Sequence, residues 1–202
     1  TCAVYTYPVL HGFKGISLLA KMCIYVFFGL LLFVLLIGGQ GRFIIVNGFQ
    51  SLGKMIQNFI GLATYTDPAR STRFSQDWTI YYWAYWMVWC IAAPFFIGNI
   101  SRGRTIRQTI CGGYIFGVGS TIVSFVILGN YSLGLQVSGV QDFIAQYESN
   151  GDLYSLILNI IDTMPCAPIV MLVTLVCMIL FYATSFDTIA YTAACYSYKK
   201  LK

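Results

Sequence analysis

Four tryptophans and three tyrosines crowd into one short stretch: Trp78, Tyr81, Tyr82, Trp83, Tyr85, Trp86 and Trp89. The chain has no other tryptophan. Aromatic faces attract cations, and the indole face does so most strongly. A quaternary ammonium has no N–H to donate, so an aromatic cage is the device that can hold its head. Trp83, Trp86 and Trp89 recur at i, i+3 and i+6, which predicts a stripe on one side of a helix. Two bland readings compete, packing and an interfacial belt of aromatics at headgroup depth. The belt suits Trp78, Tyr81 and Tyr82 at the outer end. It suits Trp86 and Trp89 poorly, because they lie roughly 12 to 17 Å further in at about 1.5 Å per residue. Spacing alone leaves cage and packing both open.

A second constellation is Thr184-Ser185-Phe186-Asp187-Thr188, which holds the one acid inside an apolar run. An intramembrane carboxylate is a functional candidate by default. The alternative is a capping or inter-helix bond. Thr184, Ser185 and Thr188 add hydroxyl oxygens beside it. Hard alkali ions take oxygen ligands, and hydroxyls with the carbonyls of a broken helix would suit an ion site. Lone Ser and Thr residues more often bond their own helix, so this signal is weak. Gly112, Gly113, Gly117 and Gly119 permit close helix packing. His11 is the single histidine and lies outside the apolar runs, a poor position for a proton relay or metal ligand. The seven cysteines (Cys2, Cys23, Cys90, Cys111, Cys166, Cys177, Cys195) include no C-x-x-C pair and match no zinc spacing. They read as small buried hydrophobes.

The elements that position these residues are helices in lipid. Hydrophobic residues make up 58% of the 202 positions and charged residues 9%, against about 25% charged in soluble domains. A soluble fold of this composition would expose large apolar patches. The net charge of +5 comes in short clusters between apolar runs, with no basic face interleaved with aromatics, which argues against nucleic acid. Crossing hydrocarbon takes about 20 apolar residues, and four runs qualify, at about 22–40, 78–101, 106–128 and 165–198. Between 49 and 63 the apolar residues fall on one helical face, with Gln50, Lys54, Gln57 and Asn58 opposite, predicting an amphipathic surface helix. Leu153 to Ile161 is too short to span and reads as an interfacial or re-entrant helix. Thr1 to His11 reads as mid-protein sequence with no signal peptide, so a fragment of one transmembrane domain is expected.

With these residues in place, the chain resembles the betaine/choline/carnitine transporter family. The resemblance rests on Asp77-Trp78-Thr79-Ile80-Tyr81-Tyr82-Trp83-Ala84-Tyr85-Trp86-Met87-Val88-Trp89. Ile100-Ser101-Arg102-Gly103-Arg104-Thr105-Ile106-Arg107 follows at the family's spacing, with Tyr65-Thr66-Asp67-Pro68 before and Thr184-Ser185-x-Asp187 after. It runs from about Gly12 to the end. The resemblance implies an all-α integral membrane protein, part of an inverted-repeat (LeuT-like) transporter fold, multi-pass in the plasma (inner) membrane. It implies Tyr85, Trp86 and Trp89 as cage and pathway positions, Thr184 and Ser185 as the sodium-coordinating pair, and Arg102, Arg104 and Arg107 as a cytoplasmic coupling loop. Tyr85 departs from the family, which usually has Trp there. The implied activity is secondary transport of a quaternary-ammonium solute (glycine betaine, choline or carnitine), coupled to sodium. Proton coupling and sodium-independent exchange are the alternatives. An enzyme would need a nucleophile–base pair or metal ligands, which scattered cysteines and one histidine do not supply. Neither a cofactor nor a metal beyond sodium is expected. Membrane lipid is the expected environment, and a homo-oligomeric state stays open.

Charge sets the orientation. The segments before residue 22, at 100–107 and at the end of the chain hold Lys14, Lys21, Arg102, Arg104, Arg107, Lys199, Lys200 and Lys202, with no acid. The opposite side holds Arg42, Lys54, Arg70 and Arg73 together with six acids. This asymmetry puts the first group in the cytoplasm. Cysteine-accessibility labelling from outside the cell, in a thiol-free background of the full-length parent, is expected to label position 72 and spare position 103. The reverse pattern overturns the orientation.

Overall fold

The computed structural model describes residues 12–69 and 73–197. His11, Cys2, Arg70 and the basic tail Lys199, Lys200 and Lys202 lie outside the described residues, as do the side chains of Lys14 and Cys195. The described residues form helices with no strand, as hydrocarbon demands of a chain that must satisfy its backbone within each segment. In chain order the α-helices are α1 Gly12–Ile37, α2 Gly41–Gln57, α3 Phe59–Thr64, α4 Tyr81–Ile100, α5 Ile106–Gly112, α6 Gly119–Ser124, α7 Asn130–Val137, α8 Phe143–Asn150, α9 Leu153–Asp162 and α10 Ala167–Ser197. Of three π-helical turns, Ser75–Ile80 leads from the loop after α3 into α4, while Gly113–Val118 and Phe125–Gly129 join α5 to α6 and α6 to α7 without a break. Ser17–Ile37, Ile106–Val137 and Ala167–Ala190 are long and apolar enough to cross a membrane.

Several boundaries differ from the sequence expectation. The third apolar run continues past 128 to Val137. Gly129-Asn130 looks like a stop, but the Asn130 amide donates to the Val126 carbonyl at 2.9 Å, so the polar group costs the helix little. The amphipathic segment starts at Gly41 and breaks at Asn58. There the Asn58 Nδ2 donates to the Lys54 carbonyl at 3.0 Å, a local bond that competes with helix continuation. Gly39, at φ +80°, closes the tight turn between α1 and α2.

The chain divides into two compact units. The first comprises residues 1–49 and 113–187. Its core joins Leu31, Val34, Ile44, Ile127, Tyr131, Leu135, Phe143, Ile161, Met164 and Val170. A second cluster sets Leu19 and Cys23 of α1 against Leu180 and Ala183 of α10, and the Phe27 and Phe181 rings meet edge-on at 5.2 Å. Numbers fall along α1 as they rise along α10, so the two helices run antiparallel. The Tyr131 hydroxyl, in a residue buried to 1%, shares a 2.9 Å hydrogen bond with the Thr163 hydroxyl. Outside the spans, α8 and α9 are capped by aspartates. Asp142 accepts from the Ala145 N–H and the Gln136 amide, and Asp152 from the Tyr154 N–H and the Ser155 hydroxyl. The Gln136 bond, then the Ala145 bond, holds the Asp142 carboxyl below the usual carboxylate range. The Ser155 hydroxyl, then the Tyr154 N–H, does the same for Asp152.

The second unit comprises residues 50–112 and 188–202. Its loop is organised by Asp67, which is 1% exposed and left-handed at φ 45°. The Asp67 carboxylate accepts from the Arg73 N–H at 3.2 Å. The Ser75 hydroxyl donates to the Tyr65 carbonyl, and the Gln76 amide donates to the carbonyls of Thr66 and Asp67, each at 3.2 Å. These bonds anchor the π-turn that leads into α4. At the other end of α4, Thr105 and Gln108 form a reciprocal capping box, 3.0 and 3.2 Å, that starts α5.

Two glycines of α2 predict opposite outcomes. A Cβ on Gly48 would lie 2.5 Å from Val126 Cγ1, whereas one on Gly53 would meet nothing within 4 Å. Gly48→Ala is expected to destabilise by about 1–3 kcal/mol through overpacking. Gly53→Ala is expected to stabilise by about 0.5–1 kcal/mol through helix propensity. Thermal unfolding of the purified full-length parent in detergent checks both signs.

Candidate functional site

The aromatic stretch is carried by the π-turn Ser75–Ile80 and α4. Its rings pair at helical spacing. Trp78 stacks on Tyr82 at 6.3 Å, and Tyr81 stacks on Tyr85 at 6.3 Å. Tyr85 then meets Trp89 at 6.2 Å and 54°, and Trp86 at 6.1 Å and 81°. Tyr85 is therefore the hub that brings all three candidate cage residues together. The tryptophan stripe read from the sequence is not the contact pattern. Trp83 stands 68% exposed and outside these ring contacts. The ladder runs through Tyr81, Tyr85 and Trp89, because residues four apart nearly eclipse on a helix while i, i+3, i+6 drifts around it. Tyr85 is 44% and Trp86 65% exposed within the chain.

The hydroxyl pair lies on α10, in the first unit. Thr184 is half-buried and its Oγ1 donates to the Leu180 carbonyl at 2.8 Å. Ser185 is exposed. Asp187 is 1% exposed, and its Oδ2 is buried with no hydrogen-bond partner. Thr184 and Asp187 share a face, three residues apart, and Ser185 points about 100° away from Thr184. No helix break supplies carbonyls here, since α10 runs unbroken from Ala167 to Ser197. Each hydroxyl oxygen keeps lone pairs for a cation, but a full coordination shell would need oxygens from beyond α10.

Arg102, Arg104 and Arg107 are exposed in and beside the turn between α4 and α5, and Gly103 bends that turn at φ +82°. Among the described residues no group of three or more His, Cys, Asp or Glu side chains could hold a metal ion. Cys23 and Cys177 are buried, while Cys90, Cys111 and Cys166 are exposed. Sequence reasoning missed three features: the π-turns, the buried Asp67 loop, and a 2.6 Å hydrogen bond from the Asn47 side-chain amide to the Asn130 Oδ1. Asn130, an amide just past the apolar run at 106–128, was the available signal for the last.

Comparison with known proteins bears on the whole chain. The family described as betaine/carnitine/choline transporters matches residues 1–202. The chain is 28% identical over 183 residues to a carnitine transporter of Acinetobacter baumannii, covering 90% of this chain and 32% of that protein. It is 30% identical over 172 residues to an osmo-independent choline transporter of Acinetobacter baylyi, covering 83% and 32%. It is 30% identical over 181 residues to an uncharacterized transporter of Haemophilus influenzae, covering 87% and 26%. The chain thus spans about a third of the length of the curated relatives it matches. No solved structure matches it significantly.

Proposed function

We propose that this chain, which belongs to the betaine/carnitine/choline family of multi-pass membrane transporters, forms the central helices of a carrier that moves a quaternary-ammonium solute inward with sodium. The observation that carries this reading is the Tyr85-centred ring cluster, with Trp86 and Trp89 against it, on a helix of a family member. The solute's cationic head rests on the faces of Tyr85 and Trp86, held by the ring quadrupoles. Sodium sits against the Thr184 and Ser185 hydroxyls, with remaining ligands from helices outside this chain. The helices move as halves of an inverted repeat and expose the site to each side in turn. The arginines at 102, 104 and 107 face the cytoplasm and couple that motion. No bond in the solute is made or broken.

A proton-coupled carrier is the second reading. It is favoured by Asp187, a buried carboxylate with one oxygen unpartnered. Both readings place the same solute class on the same rings, and they differ in the driving ion.

In the full-length parent, Trp86→Leu is expected to weaken solute binding by about 1–2 kcal/mol, and Trp86→Phe by less. Unchanged affinity in Trp86→Leu, at normal expression, returns the residue to packing.

Thr184→Ala combined with Ser185→Ala removes two oxygen ligands from an ion in a low-dielectric site. The apparent sodium affinity is expected to fall by about ten-fold or more. Solute affinity at saturating sodium is expected to change far less, because coupling free energy is recovered once the ion site fills. Wild-type uptake that follows an imposed pH gradient and ignores sodium replaces this reading with the proton-coupled one.

A further inference from the structure

The first two turns of α2 lie along the third span with a seam unlike the apolar contacts elsewhere in the first unit. The Asn47 amide donates to the Asn130 Oδ1 at 2.6 Å. The Asn130 amide in turn donates to the Val126 carbonyl at 2.9 Å, and the Asn130 backbone N–H reaches the carbonyls of Ile127 and Val126. Asn130 therefore closes the π-turn Phe125–Gly129 and accepts from α2 at the same time. Its side chain is 7% exposed, so water cannot replace the partner.

Glycines flank this amide pair on both sides. A Cβ on Gly48 would lie 2.5 Å from Val126 Cγ1, and one on Gly134 would lie 3.0 Å from both Gln40 Oε1 and Phe43 Cδ1. Between them, Ile44 and Tyr131 are each buried to 1% in the same core. Positions 40 to 48 thus descend against 134 to 126 as a continuous antiparallel seam of small residues and one amide pair. Close backbone approach with an inter-helix hydrogen bond is how helices bind in lipid, where the hydrophobic effect does not drive them together. Sliding α2 by one residue would drive side chains into the glycine contacts and strand the buried Asn130 amide. π-turns are local departures from α-helical bonding, and this one is pinned on both backbone and side chain.

We propose that Asn47 and Asn130 are positioning residues which lock α2 to the third span, so that the two move as one body through the transport cycle. This rests on the carrier reading above. The proposed solute and sodium contacts, at Tyr85, Trp86, Thr184 and Ser185, include neither residue. Alternating access needs some helix interfaces to open, and the seam excludes this one from that set. Motion of the third span reaches the amphipathic helix directly, with no loop between to absorb it.

The test uses the full-length parent in a thiol-free background carrying Asn47→Cys and Asn130→Cys. A short, cleavable bifunctional thiol reagent is expected to link the two positions in membranes. The linked protein is expected to keep most of its sodium-driven uptake of labelled betaine, choline or carnitine. Failure to link, or uptake lost on linking and restored by reductive cleavage, overturns the proposal. Asn130→Leu, which removes the acceptor, is expected to lower the maximal uptake rate by about ten-fold with the half-saturating solute concentration unchanged. Asn130→Asp keeps the acceptor oxygen and is expected to recover most of that rate. Wild-type rates in Asn130→Leu overturn the proposal, and if that variant fails to reach the membrane the linked pair decides. Absence of any quaternary-ammonium uptake by the unmodified parent defeats the carrier reading instead, and the linking yield still tests the seam.

Discussion

Hydrocarbon offers no hydrogen-bond partner, and the arrangement of this chain follows from that constraint. The backbone answers it by staying helical, even where three π-turns shift the bonding pattern. The side chains answer it mostly by bonding backward along their own helix. In the third span Ser120 and Thr121 donate to the Gly117 carbonyl, Ser124 to Thr121, and Ser132 to Gly129. On α10, Thr184 donates to Leu180. Such bonds hide a hydroxyl proton and leave an oxygen able to accept from elsewhere or to touch a cation. The same residue type is therefore both the bland way to carry a polar group through lipid and the raw material of an ion site.

Other polar groups of the apolar segments depart from this rule, and Asn130 and Asp187 do so in opposite ways. Asn130 has more donors and acceptors than one helix can take up, and it spends the surplus on Asn47 across a helix interface. Asp187 takes no hydrogen bond at its buried Oδ2. A buried carboxylate with an open oxygen costs free energy in a low-dielectric setting unless a cation, proton or donor meets it. The Asn pair resolves its surplus into structure, whereas Asp187 leaves its own unresolved beside the two candidate sodium ligands. The Asn pair is thus satisfied within the fold, and the Asp187 Oδ2 is left open to a cation, proton or donor.

How much of this was legible in the sequence depends on range. Four apolar runs were legible because length and composition act locally. Three coincide with helices long and apolar enough to cross, and the run at 78–101 is carried by α4, Tyr81–Ile100. The Asn58 break and the Thr105–Gln108 capping box carry local signatures, a polar side chain at a helix end and a Thr-x-x-Gln spacing. The π-turns carry none, since an i→i+5 bond asks for no residue type. The Asn47–Asn130 bond joins positions 83 apart and exists only once α2 lies on the third span. The tryptophan spacing correctly placed Trp86 and Trp89 on one helix. The ring contacts centre on Tyr85, which meets its neighbour Trp86 and, at i−4 and i+4, Tyr81 and Trp89, a pattern that a row of identical residues does not display.

The ring geometry also bears on why a tyrosine can stand at the centre. Tyr85 and Trp86 are nearly perpendicular, at 81° with centroids 6.1 Å apart. Two faces at a right angle make a corner, and a compact tetrahedral onium can lie against both at once, where a flat stack would offer it one. The attraction is about 0.5–1 kcal/mol per exposed ring and about 2 kcal/mol or more when the ring is desolvated. With Trp86 65% exposed in this chain, the corner alone sits at the weak end of that range. Useful affinity then requires other helices to cover it, and the chain spans about a third of its curated relatives. On the carrier reading proposed above, covering and uncovering that corner is the step that alternates binding with release. One motion would then govern both access to the solute and the strength of the cage.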